Sequence, residues 1–227
     1  MKNIFKSILL KKFISKFGIY FNNIDIHGLK FNNVKYSSLK DFYFNQNLEI
    51  ETFKFLKHSN YQTFIDLGAY FGYFSIYAKN KANIKNVFAY EASSYNFDQL
   101  KKFAKLNNAD IKIFNKAVGE KTGSIKFYKP IYNKNEKFPS HGQINNPKND
   151  KTNLYFDKKF KEYDVEMISL AKVIENNVLG STLIKLDIEG YEEKSLRSIE
   201  KDLRSQNQID LLVEILINDK NKISIFN

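Results

Sequence analysis

The run Thr63-Phe-Ile-Asp-Leu-Gly-Ala-Tyr-Phe-Gly72 leaves a chain few ways to fold. Phe64 and Ile65 read as the end of a buried strand, Asp66, Gly68 and Gly72 as a tight turn, and Tyr73 to Ala78 as the first turns of an apolar helix. Strand, glycine turn and helix in that order bring backbone N–H groups and a helix N-terminus close to a ligand. Gly68 and Gly72 supply backbone conformations, or close approaches, that a side chain would block. A second apolar run, Val87 to Tyr90, ends at Glu91, 25 positions beyond Asp66. An acidic residue at the tip of the second strand of such a unit is placed to accept hydrogen bonds from ribose hydroxyls. Together the two signals predict a nucleoside-containing cofactor. The competing structural explanation has Asp66 capping the helix and Glu91 on a solvated strand end.

The pattern then repeats. Strands are expected at 63–66, 87–91 and 111–114, and helices at 72–80 and 95–106. In the second helix Phe97, Leu100, Phe103, Ala104 and Leu106 form one apolar face, and Ser93, Ser94 or Asn96 is suited to cap its start. Strands alternating with helices over short links predict an α/β fold, a mostly parallel sheet with helices on both faces. Ligands bind beyond the carboxyl ends of such strands. Asp66, Glu91 and a predicted turn at Asn115-Lys-Ala-Val-Gly119 therefore share one rim, the last suited to an adenine ring.

Beyond this unit the alternation breaks. Gly123 to Tyr128 reads as an extra strand, and Lys129 to Lys159 as a polar loop holding all three prolines and His141. A loop of that length is predicted to cover a substrate. Val165 to Leu170 resumes as a strand and Ala171 to Val178 as a short helix. Leu183 to Leu186 suits a central strand with Asp187 at its carboxyl end, and Glu189, Gly190 and Glu192 open the next helix. Three carboxylates within six positions suit a divalent cation, a proton or a sugar hydroxyl. Set against that is helix capping with a surface ion pair to Lys185 or Lys194. Asp210 to Ile217 is the last predicted strand, interrupted by Glu214.

Ahead of the first strand, residues 19–50 read as a small cap with short strands around His27-Gly28, followed by a helix from Glu49 to His58. Ile4, Phe5, Ile8, Leu9, Phe13 and Phe17 fall at helical spacing, with Lys2, Lys6, Lys12 and Lys16 largely elsewhere around the turn. Such a helix packs on its own domain or on a second copy of the chain, or lies on an anionic membrane surface. The division expected is a helix and cap over 1–58 and a cofactor-binding domain over 59–227, with a loop insertion over about 129–160. With no cysteine, disulfides and cysteine-held zinc are excluded, and three histidines argue against a multi-histidine metal site. The net charge of +11 favours anionic partners, but lysine is abundant throughout, so nucleic acid is not the expected partner. No apolar run reaches the roughly 18–20 residues that cross a bilayer. The expected location is cytoplasmic, peripheral to the inner membrane face where the N-terminal helix binds it.

Taken together, Phe64 to Ser75, Ala89-Tyr-Glu91, Ala117-Val-Gly119, Ile184-Lys-Leu-Asp-Ile-Glu-Gly-Tyr-Glu192 and Leu212-Val-Glu-Ile215 resemble the FkbM-type S-adenosylmethionine-dependent methyltransferases, over about residues 60–217. The resemblance implies a class I methyltransferase fold, Rossmann-like, and transfer of a methyl group to a hydroxyl, often on a sugar. It implies that Asp66, Gly68, Ala69, Tyr70 and Gly72 form the turn under the methionine part of the cofactor. Glu91, with Ala92 beside it, would hold the ribose. Asn115, Lys116 and Ala117 would sit by the adenine, and Asp187 at the methyl-transfer site. Tyr70 stands where many methyltransferases have glycine. Ten residues follow Ile217, so either the closing hairpin of that fold is expected to be reduced or the chain to be truncated.

The chemistry asks mainly for positioning, which supplies roughly 7–11 kcal/mol in favourable cases. A base must also take the hydroxyl proton. Asp187 is the first candidate, alone or through a cation such as Mg2+ held with Glu189, and His141 is the second. The predicted activity is O-methylation of a saccharide or related polar small molecule, as in surface glycan biosynthesis. An NAD-dependent oxidoreductase is the alternative enzyme, although Gly-x-Gly-x-x-Gly and a Tyr-x-x-x-Lys dyad are missing. A degenerate, non-catalytic cofactor-binding or assembly protein is the other alternative.

Overall fold

The computed structural model describes residues 20–35, 49–131, 142–149, 157, 159–200 and 208–214. The expectations placed on the N-terminal segment 1–17, on His141 and on residues 215–217 fall outside the described residues.

In chain order the elements are β1 (Tyr20–Phe21), β2 (Ile24–Ile26), β3 (Leu29–Phe31), β4 (Val34–Lys35), α1 (Ile50–His58), β5 (Thr63–Leu67), α2 (Tyr73–Asn80), β6 (Asn86–Tyr90), α3 (Ser94–Leu106) and β7 (Lys112–Phe114). They continue with β8 (Ala117–Gly119), β9 (Gly123–Ile131), a 3-10 turn (Pro147–Asn149), β10 (Lys159–Ser169), α4 (Leu170–Asn177), β11 (Thr182–Leu186), α5 (Glu192–Arg197) and β12 (Ile209–Val213). The central sheet runs β12-β11-β5-β6-β7, with every pairing parallel. The chain winds outward from β5 through β6 to β7, then returns to β5's other side as β11. The crevice at such a reversal is where α/β sheets bind ligands.

All five residues of β5 and of β11 are buried, which explains why each is apolar apart from its leading threonine and one charged residue, Asp66 in β5 and Lys185 in β11. Successive side chains point to opposite faces. Phe64 and Leu183 join one cluster with Phe53, Phe71, Ile76 and Phe103, whereas Ile65, Leu67, Ile184 and Leu186 join a second with Val173 and Ile174. The hairpin β2–β3 belongs to the first cluster through Ile24, Ile26, Leu29 and Phe31. In α3, Leu100, Phe103 and Ala104 are the buried stripe the spacing predicted.

A second sheet of order β8-β10-β9 departs from the sequence-based expectation. The predicted turn at Asn115–Gly119 is in fact a turn followed by β8, which pairs parallel with Met167–Ser169 of β10. The predicted polar loop starts later, because β9 runs on through Lys129 and Pro130 to Ile131, antiparallel to β10. Pro130 is tolerated there because β9 is an edge strand, where a residue without an N–H need not break the ladder. Strand β10 begins six residues before the expected Val165. Part of the intervening segment is pinned: Gln143 forms an antiparallel bridge with Tyr128, and the Asn145 amide donates to the Gly190 carbonyl at 2.9 Å. Among the described residues no helix is long and apolar enough to cross a membrane.

Candidate functional site

Register fixes the rim. Leu67 stands opposite both Leu186 and Tyr90, so the residues just beyond these strands lie level with one another. The backbone confirms it: Asp187 N–H donates to the Leu67 carbonyl, Gly68 N–H to Tyr90 and Glu91 N–H to Phe114, each at 3.0 Å. Asp66 lies just inside the rim.

The turn above β5 is left-handed three times, at Gly68 (φ 82°), Tyr70 (φ 52°) and Gly72 (φ 83°). Tyr70 is the one that pays, since a non-glycine residue there costs roughly 1–2 kcal/mol. Its N–H donates to Glu91 Oε2 at 2.8 Å, and its ring stacks on Phe71 with centroids 4.1 Å apart. Ala69 is buried, and its N–H also reaches the Tyr90 carbonyl, at 3.0 Å.

Asp66 holds the first turn of α2 from the strand below it, its carboxyl bonded by both the N–H and the hydroxyl of Ser75. Its Oδ2 accepts the Ser75 hydroxyl at 2.5 Å, and the residue before that helix, Gly72, receives no side-chain cap. Its Oδ1 is buried without a hydrogen-bond partner. Burial pushes the Asp66 carboxyl up, against the pull of Lys185 and the Ser75 bond. A buried acceptor left empty costs about 1–3 kcal/mol, and it is a place where a ligand donor fits.

Glu91 is not on a solvated strand end, being only 6% exposed. Its Oε1 accepts the Ser93 N–H at 2.8 Å and the Asn96 amide at 3.3 Å, in addition to the Tyr70 bond on Oε2. Burial nevertheless lifts its carboxyl to about 7, with Lys129 among the groups holding it down. Ser93 precedes α3 but makes no side-chain cap bond. Its hydroxyl meets Lys129 Nζ at 3.4 Å and hydrogen-bonds Tyr163, both from the second sheet.

The three residues expected beside an adenine separate. Asn115 donates to the carbonyls of Glu91 (2.8 Å) and Ala92 (3.1 Å), tying the exit of β6 to that of β7. Lys116 pairs with Glu166 on β10 at 2.5 Å, and Ala117 is buried in β8. Ala92 packs against the cluster of Ala117, Phe127, Met167 and Tyr191.

At the tip of β11, Asp187 Oδ2 accepts from Lys185 Nζ at 2.7 Å. That pair is not a surface one, because Lys185 is 5% exposed with its ammonium 5.0 Å from the centre of the Phe74 ring. Burial pulls the Lys185 ammonium down, but Asp187 and then Asp66 outweigh it and leave it raised. Glu214, one residue past β12, hydrogen-bonds Asp187, and burial together with that contact raises its carboxyl to about 8. Glu192 holds the turn, its Oε1 accepting from the N–H groups of Ile188 (2.8 Å) and Gly190 (3.2 Å). Glu189 sits in that turn with φ 58°. Among the described residues no group of three or more His, Cys, Asp or Glu side chains could hold a metal ion, so the cation expected at Asp187 and Glu189 has no donor set there.

Sequence reasoning passed over Ser75, Lys129 and Tyr163, and it weighed Lys185 only as a partner in the competing surface ion pair. For Lys185 a signal existed. A lysine inside Thr-Leu-Ile-Lys-Leu, a strand apolar on both sides, needs a buried counter-charge.

A comparison with curated proteins finds no match. Solved structures similar to this chain include precorrin-6y C5,15-methyltransferase from Geobacter metallireducens GS-15, at 11% identity over 79% of this chain and 66% of that one, with a TM-score of 0.42. M. jannaschii TYW2 in complex with AdoMet shares 21% identity over 40% of this chain and 42% of its own, with a TM-score of 0.32. The chain thus spans less than two thirds of either. A family model, the methyltransferase FkbM domain, matches residues 66–221, from the carboxylate beneath the glycine turn to beyond Glu214. By that match over more than half its length, the chain belongs to the FkbM methyltransferase domain family.

Proposed function

We propose that this chain is an S-adenosylmethionine-dependent O-methyltransferase acting on a hydroxyl of a saccharide or related polar small molecule, with a place in surface glycan modification. One observation carries the reading: Asp66, Glu91 and Asp187 gather at one rim of the sheet around the Gly68–Gly72 turn, where Asp66 Oδ1 is buried without a partner. The family match supports the reaction class. S-adenosylmethionine, when bound, supplies a methyl group already activated by its sulfonium charge.

Glu91 would accept one ribose hydroxyl, because a carboxylate has about four accepting positions and three are used by Tyr70, Ser93 and Asn96. The Gly68–Gly72 backbone would lie under the methionine part. Asn115 fixes the floor of the adenine side by bracing Glu91 and Ala92. Asp187 would take the proton of the acceptor hydroxyl, oriented by Lys185 and Glu214. The test is transfer of a labelled methyl group from S-adenosylmethionine to a saccharide fraction, read by mass spectrometry as a gain of one methylene. Labelling that depends on Asp187 supports the reading. No labelling of any hydroxyl compound by a protein that binds the cofactor would remove it.

A further inference from the structure

Lys129 enters the rim from outside the central sheet. It lies on β9, in the part of the strand that its sequence hides, and its side chain is 9% exposed. Its neighbours all belong to the ribose side of the rim. Nζ meets Ser93 Oγ at 3.4 Å and stands 5.3 Å from the centre of the Tyr95 ring, while the N–H of Ser93 donates to Glu91 Oε1 at 2.8 Å. Tyr163, diagonal to it on β10 and opposite Phe127, reaches the same Ser93 hydroxyl. The inner face of the second sheet thus ends in an ammonium and a phenol laid over the support of one carboxylate.

Burying an ammonium is costly unless a counter-charge receives it. The counter-charge present is Glu91, whose field acts on Lys129. Glu91 in turn is so enclosed that its neutral form competes with its charged form near pH 7. A ribose hydroxyl needs the charged form, since the one accepting position left on Glu91 is lost when the carboxyl takes a proton.

We infer that Lys129 is a positioning residue that lays its charge over the Ser93 support of Glu91 and so couples the seating of the β9–β10 sheet to binding of the cofactor ribose. This rests on the assignment of Glu91 to the ribose. The groups facing Glu91 are Lys129 from β9, Tyr163 from β10, the N–H of Tyr70, and Ser93 and Asn96 at the start of α3. Lys161, opposite Lys129 on β10, adds a positive charge that lowers Lys129's hold on its proton.

The experiment compares wild type, Lys129→Met, Lys129→Arg and the control Lys126→Met, which removes an exposed pair with Asp164 on the same strand. Two readouts are taken from pH 5.5 to pH 9, with the range chosen to bracket the Glu91 value of about 7. The first is the Glu91 carboxyl carbon shift in the free protein. The second is the Kd for S-adenosylhomocysteine by calorimetry. Expected for Lys129→Met is a Glu91 midpoint moved to higher pH, with binding weakening about tenfold for each pH unit below that midpoint. Lys129→Arg and Lys126→Met should follow wild type. If Lys129→Met lacks the wild-type circular dichroism, Lys129→Gln, which keeps a polar head for Ser93, is read the same way. An unmoved Glu91 midpoint in a folded, neutral variant overturns the inference, as does an equal shift in Lys126→Met. Failure of wild type to bind S-adenosylhomocysteine at any pH would instead overturn the function on which the inference rests.

Discussion

Gly68 and Asp187 approach so closely that a Cβ on Gly68 would stand 1.7 Å from the Asp187 carbonyl oxygen. The turn after β5 and the tip of β11 therefore interlock by backbone alone, at the reversal point of the sheet. The same glycine has φ 82°, where a side chain is strained.

Gly68→Ala should accordingly destabilise the protein by about 2–4 kcal/mol, because backbone overlap and left-handed strain add. Urea denaturation measures this. Binding of S-adenosylhomocysteine should weaken along with stability, since the turn and the Asp187 tip would have to separate. Gly123→Ala is the comparison: a Cβ there meets nothing within 4 Å. At φ 158° it shares the backbone strain, so its cost should be smaller by the missing overlap alone.

Lys185 is the cation among three carboxylates, Asp187, Asp66 and Glu214. Replacing it with methionine leaves the buried Asp66 facing the half-buried Asp187, with the exposed Glu214 beside them, and removing one member of a buried pair costs at most roughly 3–5 kcal/mol. The loss should shrink as pH falls, because protonation neutralises the carboxylates left behind. Thermal melts of Lys185→Met from pH 5 to pH 9.5 check both the size and the sign, spanning the Glu214 value of about 8. A deficit that grows on acidification would contradict the arrangement.

Glu91 carries a stability cost that the site needs. Its folded carboxyl lies at about 7, above the ordinary 4.5. No penalty applies below the ordinary value; it grows as pH rises between the two and is complete above the higher one. The size is about 3 kcal/mol at most. Glu91→Gln should therefore flatten the decline of stability across that window, measured by urea midpoints, while cofactor binding is lost.

How much of this could be read from the residues depends on range. The unit from Thr63 to Phe114 declares itself because each strand, turn and helix is local, and the carboxylates at 66, 91 and 187 fall at strand ends that hydrophobic runs mark. The second sheet does not. Ala117–Gly119 is three residues long and pairs with Met167–Ser169, so nothing nearby in sequence announces it. Lys129 and Pro130 look like loop residues, and an edge strand accepts both. Lys129 consequently reads as surface charge until the pairing of β9 with β10 brings it to Ser93. Ser93 itself misleads in the same way: it has the residue type and position of a helix cap, yet its hydroxyl is committed across the domain.

Asp187→Asn separates positioning from proton transfer. Losing a general base lowers turnover by roughly 10²–10⁴-fold. Affinity for S-adenosylhomocysteine should stay within a fewfold of wild type if Asp187 serves the acceptor and not the cofactor. Single-turnover rates with calorimetric Kd values give the two numbers separately. Equal losses in both would reassign Asp187 to cofactor binding.

The most direct test is titration calorimetry of the wild-type protein with S-adenosylhomocysteine and, separately, with NADH. The account predicts one site for S-adenosylhomocysteine, abolished in Glu91→Gln, and no heat from NADH. Binding of NADH with no response to S-adenosylhomocysteine would contradict it.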